Sequence, residues 1–394
     1  MKKIISVCIL TIMLLSMLPI SAMAQEENIT INVYNWGEYI SDGSEDSLDI
    51  NKQFTEETGI KVNYTTYTSN EDLYAKLKSG ASSYDVIIPS DYMIQQMIEE
   101  NMLEKLNYDN IPNFEYIDEK YVNPYYDKAN EYSVPYTVGM VGIIYNTTMV
   151  DAADVGSWNL MWNEKYKNKI LQFNNPRDAF GTAQYLLGID VNTTDVSLWE
   201  QALDKLKEQK PLIQGYVMDE IYNKMEKGEA AIAPYYAGDF LTMYENNSDL
   251  AFYYPSEGTN FFVDAMCIPK GCKYKAEAEQ YINFMLRKDI AVANAEYIYY
   301  ASPNTQVAQD EDYISTMSEV HEKANEILYP TISDYKTSSY EKLSDKELIN
   351  NLWEKLKIDS KLNISVYITS GVIVLALVGL VVFFFIRKKK RNQY

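Results

Sequence analysis

The chain has 394 residues, 47% apolar and 23% charged, a composition that excludes a disordered chain and leaves room for two domains. Its formal charge is −21; setting aside Lys2 and Lys3 (+2) and the five basic residues 387–391 (+5) leaves −28 on residues 25–386. So acidic a body argues against nucleic acid or an anionic membrane surface as partner and is compatible with a cationic ligand.

Lys2, Lys3, the apolar run 4–18 and Ser21-Ala22-Met23-Ala24 predict a secretory signal peptide over 1–24. Ile29-Thr30-Ile31-Asn32-Val33 alternates as a half-buried strand does, and Tyr34-Asn35-Trp36-Gly37-Glu38-Tyr39 lies where it ends. Rings in that place either meet a ligand or pack beside the Gly37 turn. A loop from 42 runs into a helix that Gly59 stops, and a strand follows over 60–67. Ser69 with Asp72 three residues on predicts a capped helix through Leu73 and Leu77 to Gly80. Val86-Ile87-Ile88 is a continuous apolar run of the kind buried in a parallel sheet, and Pro89-Ser90-Asp91-Tyr92 turns it into a helix over 93–101. This is a βαβαβα pattern.

A tyrosine-rich section over 107–132 precedes a strand over 140–145 that crosses into a second lobe. Helix and strand alternate again: a strand over 170–173 ends at Asn174-Asn175-Pro176-Arg177-Asp178 and a helix begins near 179. Amphipathic helices are expected over 196–208 and 218–227, and a strand over 230–234 ends at Tyr235-Tyr236-Ala237-Gly238-Asp239. Phe262-Val263-Asp264-Ala265-Met266 is the return crossing, followed by helices over 276–287, 312–326 and 345–357, with Tyr300 in a loop. Residues 366–386 are apolar or small except Tyr367, Thr369 and Ser370, long enough at about 1.5 Å per residue to span a bilayer core. The basic residues 387–391 place the tail in the cytoplasm and the body outside.

Outside the leader there are two cysteines, Cys267 and Cys272, which either close a small local disulfide or remain thiols; with His321 the only histidine, a zinc shell is not expected. Two α/β lobes, exported, with ligand expected beyond the carboxyl ends of the strands, describe a solute-binding protein better than an enzyme. The strand ends collect Trp36, Glu38 and Tyr39; Ser90, Asp91 and Tyr92; Asn175 and Asp178; Tyr235, Tyr236 and Asp239; Phe262 and Asp264; and Tyr300. Most of these clusters pair a ring with a carboxylate, which suits a flexible aliphatic cation: carboxylates take ammonium groups, and ring faces attract them and cover methylenes.

Tyr34-Asn35-Trp36, Glu38-Tyr39, Pro89-Ser90-Asp91-Tyr92, Phe262-Val263-Asp264 and Tyr300 with Ser302-Pro303-Asn304 together resemble the bacterial spermidine/putrescine-binding proteins of polyamine ABC transporters. The resemblance runs over about 29–357 and includes Phe54-Thr55-Glu56-Glu57-Thr58-Gly59-Ile60-Lys61-Val62. It implies an α/β, two-lobed solute-binding-protein fold (type II periplasmic-binding-protein-like) with hinge crossings near Val138 and Val263, to which the C-terminal transmembrane helix is added. The expected layout is signal peptide 1–24; lobe 1, 25–138 and 264–305; lobe 2, 139–263 and 306–357; linker 358–365; transmembrane helix 366–386; cytoplasmic basic tail 387–394.

By the same likeness Trp36, Tyr39, Tyr236 and Phe262 wall the methylene chain, Ser90 and Tyr92 hydrogen-bond one end, and Asp264 is the central carboxylate. Asp178 stands where Glu is usual, and Tyr300 matches a ligand-contacting tyrosine. Asn175 stands where spermidine-preferring members carry Asp, while Asp239 and Phe262 resemble the putrescine-preferring branch; Glu341 falls where a neutral Gln is common. These departures favour putrescine over spermidine, with both amines kept as ligands. The implied partners are putrescine or spermidine and a membrane permease, with the chain a monomer anchored by its C-terminal helix; no cofactor, metal, nucleic acid or catalysis is expected. The adjacent Tyr235-Tyr236 leaves a ferric-ion or other cation receptor of the same fold as the alternative. A glycosidase-like use of paired carboxylates is the third reading, and it lacks a nucleophile elbow, a histidine base and a metal set.

Overall fold

The computed structural model describes residues 29–80, 83–343, 345 and 347–358. The predicted signal peptide and the tail 387–394 lie outside them, as does nearly all of the linker. The expected transmembrane helix is corrected: no helix among the described residues is long and apolar enough to cross a membrane, and 366–386 falls outside them. The fold class that remains is the two-lobed α/β architecture.

The alternation at the start of the chain gives β1 (Thr30–Trp36), which buries Ile31 and Val33 completely. It lies between two parallel neighbours, β2 (Lys61–Tyr67) and the short β3 (Val86–Ile87). Asp49 and Ser69 cap the intervening helices Ile50–Thr58 and Asn70–Ser79 with their side-chain oxygens, and Gly59 and Gly80 end them in the left-handed region, where glycine costs least. Ser90 then sits at the start of the helix Asp91–Glu99.

The crossing is one long strand, β4 (Ser133–Asn146). Its first part pairs antiparallel with β9 (Thr259–Cys267); its second pairs with β7 (Ile232–Tyr236) and β8 (Leu250–Tyr253). β7 is followed in the sheet by β5 (Ile170–Phe173) and β6 (Ile213–Val217), so the order is β2-β1-β3-β9-β4-β7-β5-β6, with β10 (Thr337–Ser338) beside β9. The two halves of this sheet carry the two lobes. One core gathers Ile31, Val33, Phe54, Val86, Tyr281 and Ile282. The other gathers Ile143, Phe173, Phe180, Trp199 and Phe240.

A bulge interrupts β4 between Pro135, opposite Ala265, and Thr137, opposite Asp264. The extra residue, Tyr136, turns the strand, and Pro135, which has no N–H to give, is tolerated there. The consequence is local: Thr137 and Asp264 face the same tyrosine, Tyr39. Cys267 and Cys272 are both free; Cys267 is buried in β9, and the Cys272 thiol donates to Asp85 Oδ1 at 3.1 Å.

Candidate functional site

Between the lobes runs a cleft lined from both of them, with Trp36, Tyr39, Tyr67, Asn70, Ser90, Asp91 and Tyr92 on one wall. Asn175, Asp178, Asp219, Tyr222, Tyr235, Tyr236 and Asp239 form the other; Phe262 and Asp264 come from the crossing strand, and Tyr300 and Tyr340 complete the lining.

Asp264 occupies the middle of β9 and is 5% exposed. Tyr39 donates its hydroxyl to Oδ2 at 2.8 Å, whereas Oδ1 is buried without a partner. Burial lifts the carboxyl to about 6, opposed by the nearby hydroxyl of Ser90, which sits opposite Asp264 without a hydrogen bond to Oδ1, and by donation from Tyr39. A buried carboxylate oxygen left unpaired is costly, so this atom is where a donor from outside the chain gains most.

Asn175 caps the helix Pro176–Leu187: its Oδ1 accepts from Arg177 N, and its Nδ2 donates to Asp178 Oδ2 at 2.9 Å. Tyr236 donates to the same oxygen at 2.6 Å. Burial raises Asp178 to about 6, against the pull of the Tyr236 hydroxyl and the neighbouring Arg177. Asp239, in the first turn of the helix Ala237–Asn246, accepts from the Tyr222 hydroxyl on one oxygen and from Tyr300 at 2.5 Å on the other; burial holds it at about 7. Asp91 is the most shifted, pushed by burial to about 8, and takes Tyr92 N at 2.8 Å.

The rings form a continuous wall. Trp36 donates to Ile88 O at 3.0 Å and lies 4.6 Å from Tyr67, centroid to centroid. Tyr39 meets Tyr300 edge-on at 4.7 Å, and Tyr236 meets Phe262 at 5.4 Å. Tyr92 accepts from Asn70 Nδ2 at 3.1 Å and donates to Glu71 at 3.0 Å; the same Asn70 amide reaches Ser90 Oγ at 3.0 Å. Among the described residues no lysine, arginine or histidine lines the cleft. Several ionisable acids, aromatic faces and no resident cation make the cleft complementary to a positively charged chain with methylenes between its charges.

Of the twelve residues expected from the sequence, eleven line this cleft. Glu341 does not. Its side chain is exposed, and only its backbone takes part, N–H to Asn192 Oδ1 at 2.8 Å and carbonyl from Arg177. The neighbouring residue lines the cleft instead: Tyr340 is buried, and its ring lies 4.3 Å from the Arg177 guanidinium. Residues 339–343 have no regular structure, so no periodicity tells which of their side chains turns to the cleft. Asp219, Tyr222 and Tyr67 were also missed, because Asp219 and Tyr222 lie around the start of a short helix, Glu220–Glu226, and Tyr67 ends β2 with no acid beside it. Glu38 is exposed outside the lining. Tyr235 and Tyr236 do not present paired phenolates: Tyr236 is committed to Asp178, and the Tyr235 ring stacks on Phe173 at 5.6 Å.

A family model described as bacterial extracellular solute-binding protein matches residues 49–318. The spermidine/putrescine-binding periplasmic protein of Salmonella typhimurium is 36% identical over 288 residues, covering 73% of this chain and 81% of that protein. The putrescine-binding periplasmic protein PotF of Escherichia coli is 29% identical over 304 residues, covering 72% and 80%. Among solved structures, the spermidine/putrescine ABC transporter substrate-binding protein PotD of Streptococcus pneumoniae matches with a TM-score of 0.66 at 36% identity, covering 84% of this chain and 99% of that one. The first two are named as periplasmic proteins, and with no membrane-crossing helix among the described residues the expected single-pass location in the cell membrane is corrected as well.

Proposed function

The chain belongs to the bacterial extracellular solute-binding proteins, and on that premise we propose that it is the polyamine-binding component of an ABC importer, capturing putrescine or spermidine between its lobes and handing it to a membrane permease. The observation that carries this reading is Asp264, 5% exposed, with Oδ1 unpaired in a ring-walled cleft that no cationic side chain among the described residues lines. Ferric iron is the weaker reading, since the relatives are named for amines and Tyr236 gives its hydroxyl to Asp178.

In this reading Asp264, with Asp178 beside it, takes one ammonium group and Asp239 takes another, each acid already oriented by tyrosine hydroxyls. Trp36, Tyr39, Tyr236, Phe262 and Tyr300 cover the methylenes. Ser90 and Tyr92, held by Asn70, orient one end, and Asn175 acts through Asp178. The lobes are 25–138 with 264–305 and 139–263 with 306–357, and they close by a hinge where Val138 pairs with Val263 on the crossing strands. The protein works as a monomeric receptor without catalysis. Calorimetric titration with putrescine and spermidine tests this; absence of heat and of a thermal shift with both amines overturns it.

A further inference from the structure

Among the described residues five carboxylates line the cleft, and four have protein donors: Asp91, Asp178, Asp239 and Asp264. Among the described residues Asp219 has none. It precedes the short helix Glu220–Glu226 of the second lobe without capping it. Its carboxylate packs directly on Gly37 of the first lobe: a methyl group built on Gly37 would meet Asp219 Oδ2 at 2.4 Å. Asp219 therefore spans the seam between the lobes at the strand end that carries Trp36.

Its neighbours are acidic. Asp219 is exposed at the cleft; partial desolvation there and the charges of Glu38 and Glu220 push its carboxyl up, and its own charge acts on Asp239. Asp178 feels Asp264 instead. The cleft thus offers charge in two groups, Asp91 and Asp178 with Asp264, and Asp239 with Asp219, and the buried unpaired oxygen of Asp264 belongs to the first. At the Asp178 end Asn175 contributes no charge, its amide being spent on the helix cap and on Asp178.

We propose that Asp219 is a further specificity-determining residue, anchoring an ammonium group at the lobe seam so that a triamine, and not only a diamine, is held with each charge paired. This rests on the polyamine reading above. A cation there also touches both lobes at once, so the extra charge of a triamine favours the closed form.

The test is calorimetric titration of the full chain and of Asp219→Asn with putrescine and spermidine. The substitution is expected to lower the spermidine-to-putrescine affinity ratio at least tenfold. Gly37→Ala, whose methyl group must displace the carboxylate, is expected to lower the same ratio, with thermal unfolding to verify that both variants fold. A ratio unchanged within twofold in Asp219→Asn overturns the proposal while leaving the polyamine reading intact. Failure of the parent protein to bind either amine overturns both.

Discussion

Replacing Asp264 by Asn separates the two things its carboxylate does. In the complex it is the buried partner of an ammonium group, and removing one member of such a pair costs about 2–5 kcal/mol. At about 1.4 kcal/mol per decade, affinity for putrescine should fall by about 30-fold to several thousand-fold. In the unliganded protein the effect reverses. A carboxyl held at about 6 rather than near 3.9 costs ~3 kcal/mol when ionised at pH 7. Asparagine removes that cost and still accepts from Tyr39, but its amide hydrogens need an acceptor, which takes back about 1–2 kcal/mol. The net gain should raise the unliganded Tm by about 2–4 °C. Titration calorimetry and thermal unfolding on the same preparations check both halves. Affinity within twofold of the parent, or a lower Tm without ligand, would refute the reasoning.

The acids at about 6 (Asp178, Asp264) and about 7 (Asp239) hold protons more tightly folded than unfolded, so they lower stability as pH rises from about 4 to about 8. The Tm advantage of Asp239→Asn over the parent without ligand should grow between pH 5 and pH 8. Amine binding needs these groups ionised: affinity should increase over the same range, and calorimetry in buffers of different ionisation heat should show proton release. Affinity flat with pH, or proton uptake, contradicts this. Gly181 lies inside the helix Pro176–Leu187, where alanine would ordinarily gain about 1 kcal/mol. An added methyl group, however, would sit 2.1 Å from the Tyr340 hydroxyl. Gly181→Ala should therefore displace Tyr340 from the Asp178 end and weaken polyamine binding at least tenfold; unchanged affinity by titration would show that Tyr340 is not part of the wall.

Local rules carried the first half of the chain well, because there each element is marked by its own residues. The Ser69 cap, the Gly80 stop and the apolar Val86-Ile87 run are read within a few positions of where they act. They failed where regularity is weak. The helix expected over 312–326 breaks after Val320 and resumes at Ala324, with extended backbone at His321. β6 and β8 went unread, being five and four residues long without clean alternation.

For the site, the sequence by itself determined the chemistry: rings beside acids at strand ends, no histidine among them, and a large excess of negative charge. Those are properties of residue type and of position within one element. Tertiary structure alone decided which acids share a space and how each is paired. It gave Asp239 two tyrosine donors from distant segments, left Asp264 Oδ1 empty, brought Tyr340 rather than Glu341 to the wall, and set Asp219 against Gly37 across the lobe seam. Burial and pairing are relations between residues far apart along the chain, and they fix the ionisation of each acid; no local pattern encodes them.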